Sequence, residues 1–265
     1  MNTARTAVRA AASMRALGPR GKGSRIITYH SVRPDGPGRR SSYVSPADMQ
    51  AQLTWLAREY EVVPLSTITR ALEQGRLLPA SWVSITFDDG YMDNYQYAYP
   101  ILRALNLPAT IFVITGKIGR DPAFLTLDQI AEMHGGNIAF GAHTVDHIPL
   151  TSMPAAAAKE QVIRSKQQLE QILGEPVQHF CYPHGHFNAT IESFVREAGF
   201  RSCCTENSGA VSNASDPLRL LRVGILGTDT QADFRLKVRG AYDWWINLFM
   251  MAQQGRRGIR GGMRA

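Results

Sequence analysis

Two aspartates stand side by side in Thr86-Phe87-Asp88-Asp89-Gly90, at the end of an apolar run. Adjacent side chains leave an extended backbone in different directions, so the two can take different jobs. One can bind a cation while the other receives a proton. Two carboxylates held close resist ionising together unless a positive charge is near, and a metal ion supplies one. The competing reading is an Asp-Gly turn with solvated acids. Further on, His143-Thr144-Val145-Asp146-His147 sets two imidazoles four residues apart. On a helical turn they face the same way and can grip one ion. Asp89, His143 and His147 then form a two-histidine, one-carboxylate set, and three protein ligands leave positions open for water and substrate. This donor set implies one divalent metal, zinc first, with cobalt, nickel, iron and manganese also accepted. Asp146 either steadies one imidazole or is solvated.

The elements that must carry these residues alternate along the chain. Strands are expected at 25–30, 61–65, 82–87, 109–115, 137–142, 177–182, 200–204 and 218–223. They are mostly apolar runs, which fits strands buried on both faces. Ser45-Pro46 opens a helix with a cap and a proline at its first position. Ser66 is read as the cap of the next. A helix is expected over 97–105, although Pro100 disturbs its start. Thr126 with Gln129 has the spacing of a capping box. The longest helix runs over 154–173, with Gly174 to stop it, and 188–198 is another. Strands alternating with helices favour a parallel α/β sheet or barrel. Asp88-Asp89, His143 and His184 all fall just after strands, the end of an α/β barrel where active sites sit.

In this order and at this separation, the Asp pair and the His143–His147 motif resemble those of the polysaccharide deacetylases with a NodB homology domain, carbohydrate esterase family 4. Cys181-Tyr182-Pro183-His184-Gly185 is similar to a third, looser element of that family. The likeness spans residues 25–225. It implies a single-domain, distorted (β/α) barrel of seven or eight strands, and metal-dependent removal of N-acetyl groups from sugars. It also implies roles: Asp88 as general base, Asp89, His143 and His147 as metal ligands, and the backbone N–H of His184 in an oxyanion hole. Tyr182, Pro183 and Gly185 of the third element become candidate substrate contacts. So do Tyr91 and Asn94, nearest the Asp pair in a stretch that also holds Tyr95, Tyr97 and Tyr99; tyrosines there either stack on sugar rings or pack helix against barrel.

Two departures follow. Family members often carry an arginine, paired to the base, where this chain has Cys181. Arg222 is read here as a structural arginine, with replacement of that partner as the alternative. Many members also carry a Leu-x-His motif near the C-terminal end, whose histidine is the acid, and no histidine follows His186. Some relatives resemble a circularly permuted form with that histidine on the first strand. Thr28-Tyr29-His30 fits, so His30 is the expected general acid, with His184 and His186 as rivals. His134 and His179 are read as non-catalytic.

The 265 residues carry a net charge of +7, with 29 lysines and arginines against 22 acids. Six of those cations lie in residues 1–25 and four in 252–265, both stretches free of acids. In between, 19 cations face 22 acids, so the body is mildly acidic and a basic nucleic-acid groove on it is not expected. Three cysteines without paired spacing exclude a disulfide scaffold. Arg9 and Arg15 interrupt the first 25 residues, which therefore make a poor secretory signal. The expected domains are a basic tail at 1–24, the deacetylase domain at 25–240, and an apolar, Trp-rich then basic segment at 241–265. Residues 242–251 beside the arginines could lie in a membrane interface, or close the barrel as a last helix. The expected place is the cytoplasm, at the inner face of its membrane. The expected function is an amino-sugar N-deacetylase of cell-surface glycan biosynthesis acting on a carbohydrate substrate, lipid-linked or not. The alternatives are a deformylase of a lipid-linked amino sugar and a non-catalytic carbohydrate-binding relative.

Overall fold

The computed structural model describes residues 23–34 and 43–243. Its strands are short and apolar because each is covered on both sides. They are β1 (Arg25–Tyr29), β2 (Ser31–Val32), β3 (Tyr43–Val44), β4 (Glu61–Val62), β5 (Trp82–Phe87), β6 (Ala109–Val113), β7 (Ile138–Ala142), β8 (His179–Cys181), β9 (Ser202–Cys204) and β10 (Val223–Gly224). Eight form one sheet in the order β10-β1-β5-β6-β7-β8-β9, with β4 also on β5. Every pairing in it is parallel. β2 and β3 make a separate ribbon. Cys204 bridges Leu220, and the segment after Leu220 runs into β10 on β1, so the sheet curls round towards closure. This is the distorted α/β barrel expected from the sequence.

Alternation along the strands sorts side chains into two layers. Alternate residues such as Ile27, Tyr29, Ile85, Phe87, Ile111 and Phe140 pack in the large core that the helices cover. Ile26, Phe112, Cys181 and Cys204 belong to a second cluster. The inward layer is narrow. A Cβ on Gly141 would stand 2.6 Å from the Phe112 ring, so only glycine fits there. Following the same parity to the strand ends brings Thr28 and His30, Thr86 and Asp88, and Gly141 and His143 to one end of the barrel.

The helices are α1 (Pro46–Glu59), α2 (Leu65–Glu73), α3 (Tyr99–Ala104), α4 (Leu127–His134), α5 (Ala155–Leu173), α6 (Ala189–Glu197) and α7 (Gln231–Val238). Ser45 accepts from the Asp48 N–H, the Thr126–Gln129 capping box is closed, and Gly174 ends α5 in the left-handed region. Four expectations change. Ser66 lies inside α2, whose cap position is Pro64. The helix expected over 97–105 is an α-helix from Tyr99, preceded by a π-helical turn over Asn94–Ala98. The strand expected over 218–223 begins only at Val223, after a 3₁₀ turn at Pro217–Arg219. Ser24, assigned to the tail, is buried and pairs with Val211 in both directions. At the other boundary Asp243 holds Arg25 at 2.7 Å. Residues 1–22 and 244–265 of the two expected end segments lie outside the described residues. No helix among the described residues is long and apolar enough to cross a membrane.

Candidate active site

β5 delivers the Asp pair. Asp89 and Gly90 both take positive φ, 73° and 74°, and this turn sends the two carboxylates apart. A Cβ on Gly90 would sit 2.8 Å from Val113 Cγ1, so the turn packs directly on β6.

Asp88 points into the barrel, 1% exposed, and meets Arg222, also 1% exposed. The guanidinium donates Nη1–H to Oδ1 at 2.7 Å and Nη2–H to Oδ2 at 2.6 Å. Its remaining donors reach the Thr205 carbonyl, the Thr28 and Thr86 hydroxyls and Cys181 Sγ. Arg222 is thus the charge partner of Asp88, which corrects its reading as a plain structural arginine. Burial pushes the Asp88 carboxyl up, but the charge and hydrogen bonds of Arg222 outweigh it and hold the group well below the usual carboxylate range. Cys181 lies 3.6 Å from Asp88 Oδ2. Burial keeps its thiol protonated, against the pull of Arg222.

Asp89 Oδ1 faces two imidazoles, His147 Nε2 at 3.3 Å and His143 Nε2 at 3.7 Å. His143 donates its Nδ1–H to the Cys181 carbonyl at 2.8 Å, since a carbonyl can only accept. Its Nε2 lone pair is therefore turned to Asp89. Burial, and then the neighbouring His143, hold the His147 pKa below its usual value, so its ring is neutral near pH 7. The two rings are 4.7 Å apart. They do not meet on a helical turn, as the spacing predicts. The segment is irregular, with Thr144 and His147 at φ 65° and 59°. The Thr144 hydroxyl accepts from the His147 N–H, and Gln161 on α5 accepts from the N–H groups of Val145 and Asp146. Asp146 takes the Gln161 amide at 2.6 Å, so it fastens this loop to α5 and does not support an imidazole.

These three residues suit a divalent ion. Asp89 Oδ1 is buried with no hydrogen-bond partner, and the three ligand atoms lie within 4.8 Å of one another. Two ligands each ~2.1 Å from an ion stand roughly 3–3.5 Å apart, close to the separations seen. A second cluster, Asp88, His143 and Cys181, is also compact. It suits a cation poorly: Arg222 already neutralises Asp88 and the thiol is protonated.

A cleft of ≈ 840 Å³ opens beside the Asp pair, walled by His30, Ser31, Arg33, Asp89, Tyr91, Met92 and Tyr97 among others. His30 Nε2 lies 3.9 Å from Asp88 Oδ2, and its side chain is 41% exposed. Tyr91 stacks on Phe124 at 5.1 Å in the wall. Burial, then the charge of Asp89, raise its phenol pKa. His184 is exposed at φ 55°, its ring 4.6 Å from that of His147. Of the five non-glycine residues with positive φ among the described residues, Asp89, Thr144, His147 and His184 are here. Such strain gathers at working sites.

Three candidate substrate contacts are not surfaces a sugar reaches. Tyr182 is fully buried, stacked on Phe187 with its hydroxyl on the Leu218 carbonyl. Pro183 is buried. Asn94 is fully buried and donates to the His30 carbonyl at 2.8 Å. Gly185, at φ 66°, passes so close to Glu206 that a Cβ would stand 2.8 Å from its backbone nitrogen. Its role is the tight passage of this turn. The sequence reading missed Thr28, Thr86 and Asp93. Arg222 carried a signal: a charge within an apolar, strand-like run must find a partner inside.

A family model described as polysaccharide deacetylase matches residues 77–203. A Bacillus subtilis (strain 168) protein named as a polysaccharide deacetylase, YxkH, is 30% identical over 201 residues, 76% of this chain and 70% of that protein. The poly-beta-1,6-N-acetyl-D-glucosamine N-deacetylase of Escherichia coli (strain K12) is 24% identical, over 80% of this chain but only 38% of the relative. Among solved structures, Streptococcus pyogenes deacetylase PplD in complex with acetate aligns with TM-score 0.77 and 28% identity, over 83% of this chain and 99% of that one. IcaB from Ammonifex degensii gives 0.75 and 26%, over 83% and 98%. The stretch that the family model matches holds Asp88, Asp89, His143, His147 and His184. His30 and Arg222 lie outside it, and β1 and the approach to β10 bring them in.

Proposed function

The chain belongs to the polysaccharide deacetylase family, and from that premise we propose that it is a metal-dependent hydrolase of N-acetyl groups on a poly-N-acetylglucosamine-type glycan. The observation that carries this is Asp89 Oδ1, buried, without a partner, and facing two imidazole nitrogens at 3.3 and 3.7 Å. The glycan class follows the relatives named as poly-beta-1,6-N-acetyl-D-glucosamine N-deacetylases.

Asp89, His143 and His147 would hold the ion. Such an ion polarises the acyl carbonyl and lowers the pKa of a bound water. Asp88 is the proton acceptor. Arg222 keeps it ionised and fixes both oxygens in place; Oδ2 also accepts from the Cys181 thiol, and Oδ1 retains a lone pair for the water's proton. As the water oxygen bonds to the acyl carbon, negative charge develops on the carbonyl oxygen. The His184 N–H, in a strained turn beside the ligands, is placed in this reading as its hydrogen-bond donor. His30 protonates the departing amine as the C–N bond breaks. His30 Nε2 and Asp88 Oδ2 are 3.9 Å apart, too far for a direct hydrogen bond, so the proton gained by Asp88 returns to His30 through one bridging water. The cycle then closes without a further acid. Tyr91, in the cleft wall, contacts the sugar. The inner face of the cytoplasmic membrane, with peripheral contact through 241–265, completes the proposal and rests on sequence alone.

The test is mass spectrometry of purified protein with β-1,6-linked N-acetylglucosamine oligomers and their N-formyl counterparts, with and without chelator. Acetate release that the chelator stops is expected. Formate release alone would shift the reading to a deformylase. No release from either by metal-loaded protein would overturn it.

A further inference from the structure

His30 is held by its backbone. Its ring is 41% exposed at the cleft, and the residue itself lies between β1 and β2, outside any strand pairing. The loop after the Asp pair grips three consecutive residues there. Asn94 Nδ2 donates to the His30 carbonyl at 2.8 Å. Ser31 Oγ donates to Asp93 Oδ2 through a short hydrogen bond. The Val32 N–H donates to Asp93 Oδ1 at 3.1 Å, and Asn94 Nδ2 also reaches that oxygen at 3.1 Å. One Asp-Asn pair thus ties the histidine-bearing segment to the turn that carries Asp88 and Asp89.

Two features set this grip apart from ordinary packing. Asn94 is fully buried, yet its Oδ1 has no partner. A residue kept for stability alone would not strand a buried acceptor, so the retained property is the donor on His30. The pair also opens a π-helical turn, Asn94–Ala98, in which the Tyr99 N–H reaches back five residues to the Asn94 carbonyl. Such widened turns re-aim side chains and occur often at functional sites.

We propose that Asp93 and Asn94 are positioning residues that set His30 against Asp88 for proton transfer. This rests on the reading of His30 as the acid. An error of one ångström in the placement of a reacting group can cost about 100-fold in rate. The pair makes the distance between proton donor and proton acceptor a property of one loop.

A double-mutant cycle on the full chain tests it, with the metal loaded and a β-1,6-linked N-acetylglucosamine oligomer as probe. His30→Gln alone should lower kcat about 10²–10⁴-fold with bound metal unchanged. Asn94→Leu alone should lower kcat roughly 10- to 100-fold with KM within about twofold. In the His30→Gln background, Asn94→Leu should cost nothing further, because the group it positions is gone. Near-normal turnover of His30→Gln would remove the reading of His30 itself. A large His30→Gln loss combined with an additive Asn94→Leu effect, or Asn94→Leu turnover within twofold of the parent, would overturn the positioning role alone. Should Asn94→Leu not fold, Asp93→Asn, which keeps the acceptor for Val32, is read by the same cycle and decides the matter.

Discussion

Arg222 and Asp88 form a closed, two-pronged ion pair inside the barrel, each carboxylate oxygen held by its own guanidinium nitrogen at 2.7 and 2.6 Å. The pair spans β5 and the residue just before β10, strands placed on either side of β1. It therefore links catalytic geometry to the curvature of the sheet. Removing one partner of a buried pair strands the other charge, which typically costs about 3–5 kcal/mol. Arg222→Met should lose that much in denaturant unfolding. Adding Asp88→Asn should restore much of it while leaving the protein inactive. A loss below about 1 kcal/mol for Arg222→Met would contradict the assignment.

A second expectation concerns the turn that separates the two carboxylates. Gly90→Ala forces a side chain into the left-handed region and against Val113. It should lower stability by about 1–3 kcal/mol and weaken zinc binding at least about tenfold, since Asp89 shares the turn. Gly174→Ala is the control. That residue is also left-handed, at φ 72°, but has open space around its Cβ position and lies far along the chain at the end of α5. It should lose about 1 kcal/mol and bind zinc as the parent does. Equal zinc affinity in both variants, measured by calorimetry, would show that the turn does not set the site.

The barrel and the ends of its strands were readable because buried parallel strands are apolar runs and the chemistry follows them directly. The histidine pair was found by its spacing but for the wrong local reason. Thr144 and His147 sit in left-handed conformations that no pattern of apolar residues announces, and Gln161, from another element, holds the loop. Arg222 was visible as a charge in an apolar run, yet its partner lies 134 positions away. Only sheet closure reveals that pairing. Asn94 looked like a sugar contact because polar residues near an acidic pair usually face solvent, and Tyr182 because it belongs to the third element of the family resemblance. Their burial depends on a π-helical turn and on the Phe187 stack, which arise in three dimensions.

His179 gives a pH signature separate from catalysis. It is 5% exposed inside the barrel, with Nδ1 on the Ser202 hydroxyl at 2.8 Å. Burial, and then the charge of Arg201, lower its pKa to about 4. The unfolded chain, with an ordinary histidine near 6.5, binds this proton first as pH falls. The native state is therefore favoured fully above about pH 6.5, and the contribution drains away between there and pH 4, to a total of roughly 3 kcal/mol. Asp88 acts in a lower window, because its depressed folded-state pKa makes its contribution fade only below about pH 4. Urea unfolding from pH 7 to pH 4 should show this slope, to which His147, also held below its usual pKa, adds its share, and His179→Gln should reduce it. An identical slope in the variant would place the acid sensitivity elsewhere.

The most direct measurement is metal stoichiometry coupled to turnover on one preparation. Protein stripped by chelator and titrated with zinc should take up one equivalent, with acetate release from N-acetylglucosamine oligomers rising in step. Asp89→Asn and His147→Ala should lose both together, while Asp88→Asn should keep the metal and lose the turnover. Full turnover in the stripped protein, or one tightly bound zinc retained when Asp89 and His147 are both replaced, would contradict the account.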